Sequence, residues 1–290
     1  WEGQVVPCFR PDALFKIAQP GWTDELHRLE DAAGTSIGSC RDFVQALEDR
    51  RAYFKEMGAT STDHGVAHPR TERLSDGTAE QLFQRARAGE ATDDEQVRFQ
   101  AHMLMEMARM SIDDGLVMQI HPGAHRNHNQ ALCERFGADV GADIPMRTEY
   151  TRNLKALLNA YGTEPDFSLV VFTLDESTYS RELAPLAGHY PALRLGPPWW
   201  FFDSIEGMKR YRRHVTETAG FYNTAGFNDD TRAFLSIPAR HDLSRRMDAN
   251  YVATLVARHQ IDMDEAHDIM DALTEGLVRD TYNLDAPDGA

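Results

Sequence analysis

The apolar positions of this chain follow two periods. Four short runs are nearly continuous in hydrophobicity: QVVPCF (4–9), GLVMQIHPG (115–123), SLVVFTL (168–174) and LRLGPPWW (193–200). They read as strands buried on both faces, since a strand covered on each side has no polar alternation to show. GATSTDHG (58–65) and TAGFNDD (224–230) are weaker runs of the same kind. Between them apolar residues recur at helical spacing. Ser39 precedes CRDFVQALEDRRAYFKEM, which stops at Gly58. Thr92 and Glu95 form a capping box ahead of QVRFQAHMLMEMARM. Pro145 opens a helix that runs to a stop at Gly162. A further helix follows the tryptophans from Asp203, and the stretch from Arg240 to Tyr282 is helical with a break near Gln260. Residues 66–92 read as a loop with one helix.

Strand and helix in alternation predict an α/β fold with a parallel sheet and covering helices. Six strands make an open sheet, or six-eighths of a (β/α)8 TIM-type barrel. There is no GxGxxG and no GxxxxGK[ST], which weakens dinucleotide and P-loop readings. With 290 residues the chain is long enough for one large α/β domain or two ordinary ones.

Charge narrows the partners. Forty-six acidic against thirty basic residues give a formal net charge of −16, which argues against nucleic acid or an anionic membrane surface. An anionic ligand would need local arginines to reverse that field. Three cysteines at wide spacing, Cys8, Cys40 and Cys133, indicate neither a disulfide framework nor a CxxC metal site, and point to a reducing cytoplasm. The chain opens at Trp1 and enters QVVPCF almost at once, so it reads as the later part of a longer protein.

In parallel α/β folds, chemistry gathers at the carboxyl ends of strands. Here the strand ends carry Arg10 and Asp12, then Asp63 and His64, then His121 and Arg126, then Trp199 and Trp200, and last Asp229, Asp230 and Arg232. Each residue alone has a plain alternative: a hydrogen-bonded structural histidine, an N-capping aspartate, a surface ion pair, core filler. The habit repeated over successive strand ends favours a site. His121 and Asp230 offer imidazole and carboxylate to a divalent metal, zinc or manganese. Arg10, Arg126 and Arg232 offer guanidinium forks to a carboxylate. His125 and His128 sit past the strand, and contact with solvent or substrate suits them better than metal.

VVPCFRPD (5–12), STDHG (61–65), MQIHPGAHRNHN (118–129), GPPWWFFD (196–203) and DDTRAFLSIPARHDLSRRM (229–247), in that order, resemble the uronate (glucuronate) isomerases. That family is a branch of the amidohydrolase superfamily of metal-dependent (β/α)8 barrels. The resemblance implies aldose–ketose isomerisation of a hexuronate, D-glucuronate to D-fructuronate and D-galacturonate to D-tagaturonate. It implies His121 and Asp230 as metal ligands, with Asp230, His121 and Arg232 in catalysis. Arg10, Arg126, Trp200, Arg232 and His64 are implied as substrate contacts. A divalent metal (zinc, or manganese), a cytoplasmic location and a homo-oligomer are further expectations. The family's HxH metal pair has no counterpart among the twelve histidines. Counting back from Asp230, the six strands become strands three to eight, and residues 1–290 become the carboxyl-terminal part of one barrel domain. Pro122, His125, His128 and Phe202 depart from the family pattern, which leaves the roles of His125 and His128 open. Two other readings stand: a hydrolase of the same superfamily, using metal-bound hydroxide, and a non-catalytic sugar-acid binder. The arginine set and the lack of a strand-end lysine favour the isomerase.

Overall fold

The computed structural model describes residues 5–230 and 233–284. Helices α1 (Asp12–Phe15), α2 (Trp22–Ala33) and α3 (Cys40–Glu56) precede strand β1 (Ser61–Val66). Helices α4 (Asp76–Arg87) and α5 (Asp93–Asp114) lead to β2 (Val117–Pro122). The short strands β3 (Ala124–His125) and β4 (Ile144–Pro145) pair antiparallel, with α6 (Gln130–Phe136) between them in sequence. Then come α7 (Lys155–Tyr161), β5 (Leu169–Val171), α8 (Ala184–His189), β6 (Leu193–Leu195) and α9 (Ile205–Ala219). The chain closes with α10 (Ile237–Ala257), α11 (Met263–Asp271) and α12 (Leu277–Tyr282). The α/β alternation is the one expected.

Two compact units divide the chain. The first takes Trp1–Gly65, Pro69–Gln119 and Arg152–Ser168; the second takes Val66–His68, Ile120–Thr151 and Leu169–Ala290. In the first, Phe9 bridges in parallel to Thr62 of β1, and Val117 at the start of β2 donates its N–H to Thr60. Its helices are capped as the sequence requires, with Ser39–Asp42 and Thr92–Glu95 boxes satisfying the end N–H groups. They enclose an aromatic and methionine core in which Phe43 packs on Phe83 and Phe99, at ring separations of 5.5 and 6.1 Å.

In the second unit Phe172, just past β5, donates to Ile120 of β2, β5 and β6 pair in parallel, and Leu195 bridges in parallel to Thr224. A cluster of Phe221, Val252, Ala266, Ile269, Leu273 and Leu277 seats the carboxyl-terminal helices.

Four expectations need correction, each for a backbone reason. QVVPCF is no strand where described: Pro7 has no N–H to give a ladder, Val5 is 84% exposed, and pairing shrinks to the Phe9 bridge. LRLGPPWW stops as a strand at Leu195. Gly196 donates once more, to Val171, and then Pro197 and Pro198 offer no donor. TAGFNDD reduces to the Thr224 bridge, because Gly226 turns left-handed at φ +72°. No helix starts at Pro145. Residues 146–154 are irregular and α7 begins only at Lys155. There the N–H groups of Thr148, Tyr150 and Thr151 go to the carboxylates of Asp175 and Glu182 instead of a helical ladder.

Candidate functional site

The second unit brings together residues from three strand ends. In β2, Val117, Met118 and Ile120 are fully buried, and the strand delivers His121 at its end, half-buried. The imidazole lies flat on Phe172, with ring centroids 3.9 Å apart and planes 16° apart, and meets Trp199 edge-on at 4.8 Å. Phe172 follows β5 and Trp199 follows β6. Gly196 makes room for this stack: a Cβ there would sit 2.4 Å from the Phe172 ring.

From Trp199 the contacts continue to Asp230. The indole N–H of Trp199 donates to Asp230 Oδ2 at 2.7 Å, and that of Trp200 donates to the same oxygen at 3.4 Å. Trp200 adopts a left-handed backbone, φ +50°, which a bulky residue takes only where its surroundings impose it. The Arg126 guanidinium covers the Trp200 ring at 5.1 Å and pairs with Asp143 at 2.7 Å. Asp143 also accepts the Asn127 N–H, so the loop after β2 is tied down on its far side. An imidazole, a carboxylate held by one oxygen and a stacked guanidinium thus line one continuous set of contacts. Arg232, expected beside them, lies outside the described residues.

In the first unit Arg10 faces two acids. Its Nε is 3.1 Å from Asp63, and its Nη2 is 3.4 Å from Asp12. Both Asp12 oxygens accept the Gly65 N–H at 3.1 Å. Burial pushes the Asp12 carboxyl up, although the Gly65 N–H and Arg10 pull the other way. With both acids ionised this trio carries one excess negative charge, so Arg10 meets an anion only in competition with Asp12 and Asp63. His64, expected to contact substrate, is fully buried. Its Nε2 is 3.1 Å from the Thr62 hydroxyl and its ring stacks on Phe15.

His125 and His128 touch each other edge-on at 5.5 Å on the exposed loop. Among the described residues no three His, Cys, Asp or Glu side chains gather as a metal site. His121 and Asp230 are donors of the right kind for zinc or manganese, but two fall short of the three protein ligands of a catalytic site. No helix among the described residues is long and apolar enough to cross a membrane.

From residue order alone Trp199 can be core filler, and Phe172, Asp203 and Arg240 have no visible role. Trp199 shares its strand end with Trp200, and that was the available signal. Arg240 lies inside the quoted DDTRAFLSIPARHD motif, but nothing in its spacing reveals which acids it meets.

A family profile for glucuronate isomerase matches residues 2–282. A uronate isomerase from Nostoc punctiforme is 57% identical over 282 residues, covering 97% of this chain and 60% of that protein. Among solved structures, glucuronate isomerase from Caulobacter crescentus superposes with a TM-score of 0.95 at 53% identity, over 99% of this chain and 60% of that one. Uronate isomerase from Thermotoga maritima gives a TM-score of 0.91 at 26% identity, over 96% and 61%. The chain therefore spans about 60% of the length of the relatives it matches.

Proposed function

The chain belongs to the glucuronate isomerase family, and from that premise we propose that the protein interconverts a hexuronate and its keto isomer. The substrates are D-glucuronate and D-galacturonate, the products D-fructuronate and D-tagaturonate. The reaction moves one carbon-bound proton from C2 to C1 and one hydroxyl proton from O2 to O1. The observation that supports this best is the setting of Asp230. Two indole N–H groups orient the carboxylate through Oδ2. A carboxylate oriented through one oxygen can take and return a proton with the other.

His121 and Asp230 would hold a divalent cation, zinc by donor chemistry or else manganese, and further ligands would come from outside the described residues. When bound, such a cation polarises a substrate oxygen and stabilises an enediolate's charge. Arg126, stacked on Trp200, is assigned to the substrate's polar groups, with Arg232 as a further guanidinium partner for its carboxylate. His64, being buried, is assigned to holding β1 and not to the sugar. Residues 1–290 are assigned as one functional domain, about strands three to eight of the barrel. The protein is placed in the cytoplasm as a homo-oligomer without nucleic-acid or membrane partners.

The test is turnover of D-glucuronate by the protein as its gene encodes it. Asp230→Asn should lower kcat by about 10²–10⁴-fold. A near-normal rate would remove Asp230 from the mechanism. Chelation followed by zinc or manganese return should abolish and restore activity, and activity unaffected by chelation would remove the metal.

A further inference from the structure

A second tie joins the loop that carries the tryptophans to the segment that carries Asp230. Asp203 ends the Trp200–Phe202 turn, and Asp229 stands one residue before Asp230. Both carboxylates meet one guanidinium, that of Arg240 in the first turn of α10. Its Nε donates to Asp229 Oδ1 at 2.6 Å, and its Nη2 donates to Asp203 Oδ2. The Asp229 side chain is 4% exposed, and its Oδ2 is buried without a hydrogen-bond partner. Arg240 and Asp203 are about a quarter exposed, so water screens this trio only in part.

Two like charges this close repel unless a cation stands between them. Without Arg240 the two loops would carry opposed carboxylates at their base, and separation would draw both indoles off Asp230. We propose that Arg240 is a positioning residue, a clamp that holds Asp203 and Asp229 together so that Trp199 and Trp200 can fix Asp230. Only the kinetic consequence rests on the isomerase reading; the clamp itself is a matter of geometry.

The indole N–H resonances in a ¹⁵N-tryptophan spectrum read the clamp directly, assigned by single Trp→Phe variants. Trp22, whose indole donates to Leu14 O at 2.8 Å in the first unit, is the internal reference. In Arg240→Met the Trp199 and Trp200 resonances should move while Trp22 stays in place. In Arg240→Lys, which keeps the charge but not the fork, they should move less. In the protein as its gene encodes it, Arg240→Met should lower kcat by about 10–100-fold with a smaller change in KM, and Arg240→Lys should recover part of it. Unmoved Trp199 and Trp200 resonances in folded Arg240→Met would overturn the clamp, and so would an unchanged kcat. Should Arg240→Met fail to fold, Asp203→Ala removes the acceptor of one arm and should shift the same two resonances; if it does not, the clamp is wrong. An inactive wild-type protein would sink the isomerase reading and leave the resonances to decide the clamp alone.

Discussion

Arg51 in the first unit and Arg212 in the second are both buried, and each grips an aspartate through two N–H···O bonds. Arg51 holds Asp114 at 2.6 and 2.9 Å, and Arg212 holds Asp248 at the same two distances. The difference lies in what remains. Arg51 gives its other contacts to the Ser111 hydroxyl at 3.0 Å and the Met107 sulfur at 3.6 Å, both on the same helix as Asp114. Arg212 leaves Nη1 buried without a partner, beside the equally unpartnered hydroxyl of Tyr211. Arg212 also lines a small cavity with Pro197, Pro198, Phe227 and Ser244. An unmet buried donor costs about 1–3 kcal/mol. The first unit gives every nitrogen of its buried guanidinium a partner, from three neighbours one helical turn apart. The second leaves Nη1 without a protein hydrogen bond, beside the segments that lead to Trp199 and Asp230. Marginal local satisfaction at a site, supported from elsewhere, is what functional geometry commonly requires.

Removing one partner should separate the two units most. Asp248→Ala strands a buried guanidinium and should cost about 3–5 kcal/mol in urea unfolding. Asp114→Ala should cost less, because Ser111 stays on Arg51 and the Asp114 side chain is 23% exposed. Equal losses would remove the contrast. Replacing each pair with apolar residues sharpens it further. Arg212→Met with Asp248→Leu should come out near neutral or gain about 1–4 kcal/mol, since it also deletes the unmet Nη1. Arg51→Met with Asp114→Leu should be worse by comparison, because Leu116 N–H and Ser111 lose their acceptor and donor.

Glu182→Gln should follow, at about 1.5–3 kcal/mol, because this buried carboxylate accepts the Tyr150 and Thr151 N–H groups that a helix would otherwise use. Burial alone would raise its pKa, but those N–H groups and Arg181 outweigh burial and hold it below the ordinary 4.5. A lowered carboxylate stabilises the fold above the unfolded value and loses that contribution as pH falls through the folded value. The second unit should therefore lose protection in hydrogen exchange below pH 4.5, and Glu182→Gln should flatten that loss. Burial holds His102 in the first unit and His241 in the second below 6.5. Protonation then favours the unfolded chain, so both units should weaken as pH falls below about 6.5. Smallest is Thr92→Ala, which removes the cap of α5 and should cost about 1 kcal/mol, confined to the first unit.

The same contrast marks what could be read from residue order. Ser39, Thr92 and Gly162 declare helix ends because a cap satisfies backbone groups within three or four residues of itself. Continuous apolar runs disclosed β2 and β5 for a similarly local reason, and the motif set disclosed the family. His121, Trp200 and Asp230 were legible as strand-end residues. Their mutual arrangement was not. That Trp199 joins imidazole to carboxylate, that Gly196 yields space to Phe172, and that Arg240 holds two acids depend on partners up to 78 residues away in the chain. The same limit explains residues 146–154, which carry a helical pattern yet stay irregular. Asp175 and Glu182, some thirty residues on, supply acceptors stronger than a helix's own carbonyls. Sequence alone determined which residues seek burial, where helices start and stop, and which family the chain resembles. Tertiary structure decided which polar groups meet, because a hydrogen bond or ion pair between distant residues exists only once the backbone has brought them within about 3 Å.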